Sequence, residues 1–291
     1  MRREHIDDQE ADMEYVVVMD SCGERTAAMK EDERIVSAPL TMQVDEYMIV
    51  DDDTFDQADF LKKVAESPNS PKSACPSPDY YKEAFAKADK RAYAVTLSGN
   101  LSGSYNSAVL ARELLLEERP EMQVHVFDSC SASIGETLIT LKIQECEAAG
   151  MAFDELVETV EEYIKSQDTH FVLENLETLR KNGRLSNIKA FAASVLKIRP
   201  VMGATPDGQI IQLDQARGTN KALMKMVDYV VKAAGDSKDK VLAVSHCNCP
   251  ERGAMVRDAI MSRIPVKDAI LLDTAGISSM YANDGGVIVV I

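Results

Sequence analysis

Short apolar runs alternate with polar turns and with segments of helical periodicity along most of this chain. Three runs end in serine-bearing turns: residues 15–19, 92–97 and 124–127, with turns at 20–23, 98–104 and 128–133. The second and third turns open helical patterns at 105–118 and 134–149. Such short connections predict parallel strands joined by right-handed crossovers. The turns would then share the sheet edge at which α/β proteins bind ligands, and their serines predict a hydroxyl-rich cleft of low charge.

Between the first two units the pattern is different. Residues 39–49 predict an extended hairpin, and 55–66 predict a helix. The loop at 67–78 contains four prolines, which exclude a helix until Pro78. We expect Pro78 to be the first residue of the next helix, with Ser77 as its cap.

A further helix at 153–165 precedes a change of pattern, and we place a domain boundary near 166–169. The predicted strands beyond it are 169–173, 241–245, 269–272 and 287–291, and the predicted helices are 176–182, 188–197, 221–234 and 251–262. Asp207-Gly208 is a strong hairpin turn signal. The predicted fold class is α/β, with a disordered tail at 1–14 and two α/β domains at 15–166 and 167–291. The N-terminal domain is expected to have a mainly parallel sheet.

Composition excludes several classes of protein. A formal net charge of −16 would repel nucleic acid, because phosphate backbones bind clustered Lys and Arg. No apolar run is long enough to span a bilayer, and residues 1–14 lack the apolar core of a signal peptide, so we predict a cytoplasmic protein. Six scattered cysteines predict reduced thiols. The segment His246-Cys247-Asn248-Cys249 lacks the further ligands of a zinc tetrahedron, which favours buried thiols over a metal site.

The loop at 98–104 gives the strongest local signal for ligand binding. A helix beginning after it would offer unpaired N–H groups and a partial positive charge to an anion. Gly99 and Gly103 would let that anion approach the backbone closely. Simple capping of the helix by Ser102 explains the same residues equally well. The order of residues is not that of a nucleophile elbow, and the chain contains neither a Walker phosphate loop nor Gly-x-Gly-x-x-Gly.

Two further segments have more than one explanation. Residues 179–184 place three cations at a helix end that Gly183 would terminate. They suit a solvated helix terminus or, together with Arg217, a site for an acidic partner or a phosphate. Apolar positions along 188–201 would either bury one face of a helix in the core or line an acyl-chain tunnel.

Taken in order, these motifs resemble the DegV family of bacterial fatty-acid-binding proteins. The resemblance extends from about residue 15 to the C-terminus and is most specific at 101–105 and 179–184. Members of that family enclose a fatty acid between or within two α/β domains. They present its carboxyl group to a separate fatty-acid kinase, which phosphorylates it for phospholipid synthesis. The resemblance implies a carrier rather than an enzyme, with a long-chain fatty acid as ligand, a kinase as partner, and no cofactor or metal. We expect a monomer whose contact with membranes is at most peripheral or transient.

The resemblance also implies roles for particular residues. It assigns five of them to the fatty-acid carboxylate: Ser73, Ser98, Ser102, Gly103 and Tyr281. The residue Tyr281 stands where the family has a C-terminal histidine, and it would donate a phenolic hydrogen bond instead. The family's Thr-Ser-Gln-Pro loop is Ser73-Ala74-Cys75-Pro76 in this chain. Three cations are expected on or near the face offered to the kinase: Arg180, Arg184 and Arg217.

Two other hypotheses remain from the sequence. The first is an enzyme, a hydrolase or transferase directed at an acyl or phosphate group, with Ser102 as nucleophile. It needs a base within hydrogen-bond reach, and His246, at a predicted strand end, is the only credible one of the four histidines. The second is an interaction or sensor protein whose bound lipid is structural.

Overall fold

The computed structural model describes residues 13–185 and 198–291. The predicted tail up to residue 12 and the predicted helix at 188–197, with its apolar positions, lie outside the described residues. The described strands are β1 (Tyr15–Asp20), β2 (Ile35–Ala38), β3 (Thr41–Val44), β4 (Tyr47–Val50), β5 (Lys72–Ala74), β6 (Arg91–Thr96), β7 (Gln123–Asp128), β8 (Thr169–Val172), β9 (Ile198–Ala204), β10 (Ile210–Arg217), β11 (Val241–His246), β12 (Asp268–Asp273) and β13 (Val287–Val290). The described helices are α1 (Ala27–Glu31), α2 (Gln57–Glu66), α3 (Pro78–Phe85), α4 (Ser104–Glu118), α5 (Ile134–Ala148), α6 (Phe153–Lys165), α7 (Glu177–Lys181), α8 (Thr219–Ala233), α9 (Pro250–Met261) and α10 (Gly276–Ala282).

The first sheet has the strand order β2-β1-β6-β7, and all of its pairings are parallel. Alternate residues of β1 enter two cores, since successive side chains of a strand point to opposite faces. Val16 and Val18 pack in a core that includes side chains of α3 and α4. Val17 and Met19 pack in another that includes side chains of α5 and α6. The predicted parallel sheet is confirmed, and the helices predicted at 105–118, 134–149 and 153–165 match α4, α5 and α6 to within one residue.

A small antiparallel sheet has the order β4-β3-β5. The β3–β4 hairpin was predicted. The proline-rich loop, from which a helix was excluded, includes the short strand β5, which pairs with β3 and was not predicted. The prediction at the end of that loop is confirmed, because Pro78 begins α3 and Ser77 Oγ accepts the Tyr80 N–H at 3.2 Å.

The second sheet has the order β10-β9-β8-β13-β11-β12, and its only parallel pair is β11–β12. Side chains of α8 and α9 cover one of its faces in an apolar core. The predicted hairpin turn is confirmed between β9 and β10, where Gly208 has φ 78°. The predicted boundary near 166–169 falls between α6 and β8.

The helix α10 was not predicted, and its sequence explains why. Its segment contains a glycine and two serines, all of which have weak helix propensity. The helix is held from outside, since Asp51 accepts the N–H groups of Gly276 at 2.7 Å and Ile277 at 2.8 Å. A contact between residues 225 positions apart gives no local signal in the sequence.

Candidate ligand site

An apolar cavity of about 740 Å³, including its open mouth, lies between the edge of the first sheet and one face of the second. Its wall combines side chains from the loops after β6 and β7, from the second sheet and the residue after β8, and from α10: Leu97, Leu101, Ala132, Phe171, Leu173, Ile210, Ile277, Tyr281 and Ile288. The arrangement suits a ligand that is largely hydrocarbon.

The hydroxyl groups in the cavity wall are bonded to the protein. Ser131 Oγ lies 2.7 Å from Thr169 Oγ1, and Ser278 Oγ donates to the Cys22 carbonyl at 2.8 Å. Ser133 Oγ donates to the Glu24 carboxylate at 2.8 Å. The prediction of a hydroxyl-rich cleft was therefore wrong for the interior of the cavity, because these hydroxyls bond to other groups of the protein and leave an apolar surface.

The loop at 98–104 leads into α4 as predicted. Gly103 is the N-cap residue, is exposed, and receives no side-chain cap. Ser102 therefore does not cap the helix in the expected way. Its Oγ accepts the Ser104 N–H at 3.2 Å and lies 3.3 Å from Ser104 Oγ. The first N–H groups of a helix have no intrahelical partner, so this exposed N-terminus remains suited to an anion.

The structure brings two of the predicted carboxylate ligands together. Ser73 Oγ lies 3.3 Å from the Tyr281 hydroxyl, although the two residues are 208 positions apart. Cys75, just beyond β5, approaches α4, and its Sγ would lie 3.2 Å from a Cβ placed on Gly103. Leu101 and Tyr281 both line the cavity, so the Ser73–Tyr281 pair adjoins it.

Ser98 is bound elsewhere. Its side chain is buried, and its Oγ donates to the Gly208 carbonyl at 3.0 Å. A Cβ on Gly208 would lie only 2.3 Å from that oxygen, so the glycine is required for the contact. Ser98 thus ties the loop to the β9–β10 turn, and direct donation to a ligand would require it to release the carbonyl.

The three predicted cations occupy different environments. Arg184 lines the cavity, and its Nε donates to the Leu101 carbonyl at 3.1 Å. Arg180 is exposed and pairs with Glu177 at 2.7 Å. Arg217 is exposed at the end of β10. Two of the three are therefore available at the surface, whereas Arg184 braces the loop before α4.

The geometry does not assemble the alternative catalytic pair. Within residues 13–185 and 198–291, no histidine lies within hydrogen-bond distance of Ser102 Oγ. His246 Nδ1 instead lies 3.2 Å from Asp273 Oδ1. The ligand atoms of His246, Cys247 and Cys249 form no cluster of metal-binding dimensions in the described part of the chain. None of the described helices is long and apolar enough to cross a membrane.

A family model described as "Uncharacterised protein, DegV family" matches residues 14–291 of this sequence. The chain belongs to the DegV family. A DegV domain-containing protein of Streptococcus pneumoniae is 36% identical over 256 residues, which cover 87% of this chain and 89% of the relative. The predicted family is thereby confirmed.

Solved DegV structures have the same fold and hold fatty acids. A DegV family protein of Ruminococcus gnavus with vaccenic acid is 52% identical and superposes with a TM-score of 0.93 over 96% of this chain and 100% of that one. The Fatty Acid Kinase (Fak) B3 protein of Streptococcus pneumoniae, loaded with linoleic acid, is 33% identical with a TM-score of 0.85, over 96% of this chain and 99% of that one. The predicted α/β fold class is confirmed.

Sequence reasoning missed a group of buried carboxyls at the same sheet edge of this DegV fold: Asp20, Glu24, Asp51 and Glu136. Burial raises the pKa of Asp20 to about 6 and that of Glu24 to about 7. Burial likewise raises the pKa of Asp51 to about 6. The available signal was the position of Asp20 and of Asp51, each directly after an apolar run; Glu24 and Glu136 had none.

Proposed function

We propose that this DegV protein binds one long-chain fatty acid, holds its carboxylate at the N-terminus of α4, and presents that carboxyl group to a fatty-acid kinase. It acts as a carrier and not as an enzyme. One observation supports this above all: the apolar cavity is lined by Tyr281, whose hydroxyl lies 3.3 Å from Ser73 Oγ, and by Leu101, in the loop that leads to the exposed N-terminus of α4. The fatty acids held by the Ruminococcus gnavus and Streptococcus pneumoniae proteins support the same ligand class.

The proposed contacts with the carboxylate come from hydrogen-bond donors near Tyr281 and at the N-terminus of α4. Ser73, Tyr281 and Ser102 offer hydroxyls, and α4 offers N–H groups with a partial positive charge. Hydrogen bonds to an ionised carboxylate are stronger than those between neutral groups, so a few donors suffice to hold it without a cation. The bare backbone at Gly103 allows close approach, since a side chain there would contact Cys75.

Presentation to a kinase is supported by exposure and charge. Gly103 is exposed and Ser102 is partly exposed, so a carboxylate held there would lie near the surface. Arg180 and Arg217 are exposed cations in a chain of net charge −16. A phosphate or an acidic partner would bind to them through charge-assisted hydrogen bonds. The likeness to the Fak B3 protein gives the kinase as the expected partner.

The first experiment measures fatty-acid binding. We expect native mass spectrometry of the purified protein to show one fatty acid that organic extraction removes. Tyr281→Phe removes one hydroxyl of the head-group cluster and should weaken vaccenic acid binding about fivefold, because a hydrogen bond to a charged group contributes about 1 kcal/mol or more. Tyr229→Phe is the matched control, since its hydroxyl donates to the Leu213 carbonyl in the second sheet. Equal affinity in the two variants, or a protein that takes up no fatty acid, would contradict the proposal.

The second experiment measures transfer to the kinase. With fatty-acid kinase and ATP, the loaded protein should yield acyl phosphate. Arg217→Ala should keep its full load of fatty acid and yield acyl phosphate at a rate lowered about threefold or more, as expected for a charged contact at a protein interface. Lys238→Ala is the control, because this lysine is exposed and pairs only with Asp236 in the described residues. Unchanged transfer by Arg217→Ala would remove this residue from the kinase-facing surface.

A further inference from the structure

The carboxyl of Asp20 is placed to hold the loop that leads into α4. Asp20 ends β1 and is fully buried. Its Oδ2 accepts the N–H of Leu97 at 3.0 Å, and its Oδ1 accepts the N–H of Cys22 at 3.0 Å. Leu97 is the first residue after β6, so Asp20 fixes the point at which the head-group loop begins. Ser104, at the other end of the loop, also interacts with this carboxyl.

Glu136 lies against Asp20 and lacks an ordinary partner. It belongs to the first turn of α5 and is completely inaccessible to solvent. Neither of its oxygens has a hydrogen-bond partner among the described residues. One ligand atom from each of Asp20, Cys22 and Glu136 lies within 4.8 Å of the other two. An ionised carboxylate buried in this way would be very unfavourable, so something must neutralise it.

A proton satisfies this cluster better than a cation does. Burial, followed by the charge of Asp20, raises the pKa of Glu136 well above its usual value. Both oxygens of Asp20 already accept an N–H, and each can still accept a proton from Glu136. Burial raises the pKa of the Cys22 thiol well above its usual value, which disfavours the thiolate that a metal would need.

We propose that Glu136 is a protonated carboxylic acid that donates to Asp20, and that this acid pair positions the 97–104 loop for the ligand's head group. The positioning role rests on the proposed function. Four other groups surround the pair from neighbouring elements: the Cys22 thiol, the Glu24 carboxyl, the Tyr81 hydroxyl and the Ser104 hydroxyl. None of these is a cation. The protons belong to the coupled pair rather than to one residue.

Infrared spectroscopy of the ligand-free protein tests the shared proton. At pH 8 the wild type should show the C=O stretch of a protonated carboxyl, and Glu136→Gln should lack it. Glu147→Gln should retain it, because Glu147 lies on the same helix but pairs with Arg91 at 3.2 Å. A wild type without the band would overturn the proposal. So would a stoichiometric metal ion, detected by elemental analysis of the wild type and lost in Glu136→Gln.

Affinity for vaccenic acid tests the positioning role. Glu136→Gln keeps a donor toward Asp20 and should bind within about twofold of wild type. Asp20→Asn offers one acceptor oxygen to two N–H groups and should raise the Kd about tenfold at temperatures where it remains folded. If Asp20→Asn does not fold, Glu136→Ala provides the same test. Its Kd should be raised, whereas the Kd of Glu136→Gln should stay near that of wild type. Unchanged Kd in the folded variant would overturn the positioning role. A wild type that binds no fatty acid would contradict the proposed function. The infrared band would still show whether the Asp20–Glu136 pair holds a proton.

Discussion

The loops after β6 and β7 begin alike and end differently. They leave neighbouring parallel strands at one sheet edge, and each opens a helix of 15 residues. The loop after β6 ends at Gly103, which is exposed and lies beside Cys75, two residues after Ser73. The loop after β7 ends at Ser133, which is buried and donates to Glu24. Similar local sequence thus gives one helix with an exposed N-cap residue and another whose N-cap side chain is bonded to the protein's own carboxyl.

Backbone geometry also differs between the two loops. Gly103 has an ordinary φ of −78°, which any residue adopts. The loop after β7 contains two non-glycine residues at positive φ, Cys130 at 48° and Ser133 at 60°. Such conformations cost free energy and persist only where surrounding contacts determine them. The loop after β7 is therefore held by its packing, whereas the loop after β6, although anchored through Ser98 and Asp20, leaves Gly103 exposed to an external partner.

The largest expected effect concerns pH and the buried loop. Because burial raises the pKa of Glu24 to about 7 from an unfolded value near 4.5, the folded protein holds this proton more tightly. The stability it confers is complete below the unfolded pKa and is lost as pH rises through 7. Between pH 5 and pH 8, wild type should lose about 2 kcal/mol of unfolding free energy through this group.

Urea denaturation at both pH values measures the effect. Glu24→Gln should lose about 2 kcal/mol less than wild type over this interval, because the amide does not titrate. Ser102→Ala, in the loop after β6, is the control and should follow wild type. Identical pH dependence of Glu24→Gln and wild type would show that Glu24 titrates normally.

Gly135→Ala tests how tightly the buried loop is packed. A Cβ at this position would lie 2.3 Å from Ser131 Oγ and 2.9 Å from Ser131 Cβ, in a buried segment that is bonded to Thr169. Overpacking of this kind should lower the unfolding free energy by about 2 kcal/mol. Thermal and urea denaturation measure this loss of stability. A variant as stable as wild type would mean that the loop rearranges to accommodate the added methyl group.

The sequence predicted both loops and the helices that follow them. It did not indicate which loop would end at an exposed residue and which at a buried one. Strand, turn and helix order identified both loops, since periodicity and glycine position are local signals. The serine hydroxyls of the loop after β7 bond to groups that are distant in the sequence. Ser131 bonds to Thr169, and Ser133 bonds to Glu24, which lies 109 positions away. The placement of Tyr281 beside Ser73 likewise depends on α10, a helix held by Asp51. Only the family resemblance anticipated that pairing.

Gly103→Ala gives the smallest expected change and the most direct test of the open N-terminus. Alanine adopts the φ of −78° at this position without strain, and its Cβ would meet only Cys75 Sγ, at 3.2 Å, on an exposed side chain that can move. Stability should therefore remain within about 0.5 kcal/mol of wild type or rise slightly, since alanine restricts the unfolded chain.

The affinity for vaccenic acid should nevertheless fall about fivefold, because the methyl group occupies the space through which a carboxylate approaches the backbone. Isothermal titration at one temperature measures the Kd of Gly103→Ala and of wild type. Gly135→Ala, studied where it is folded, should show the opposite result, with lowered stability and nearly unchanged affinity. If Gly103→Ala binds as tightly as wild type, the carboxylate does not rest on this helix N-terminus, and the two loops would then differ in exposure but not in function.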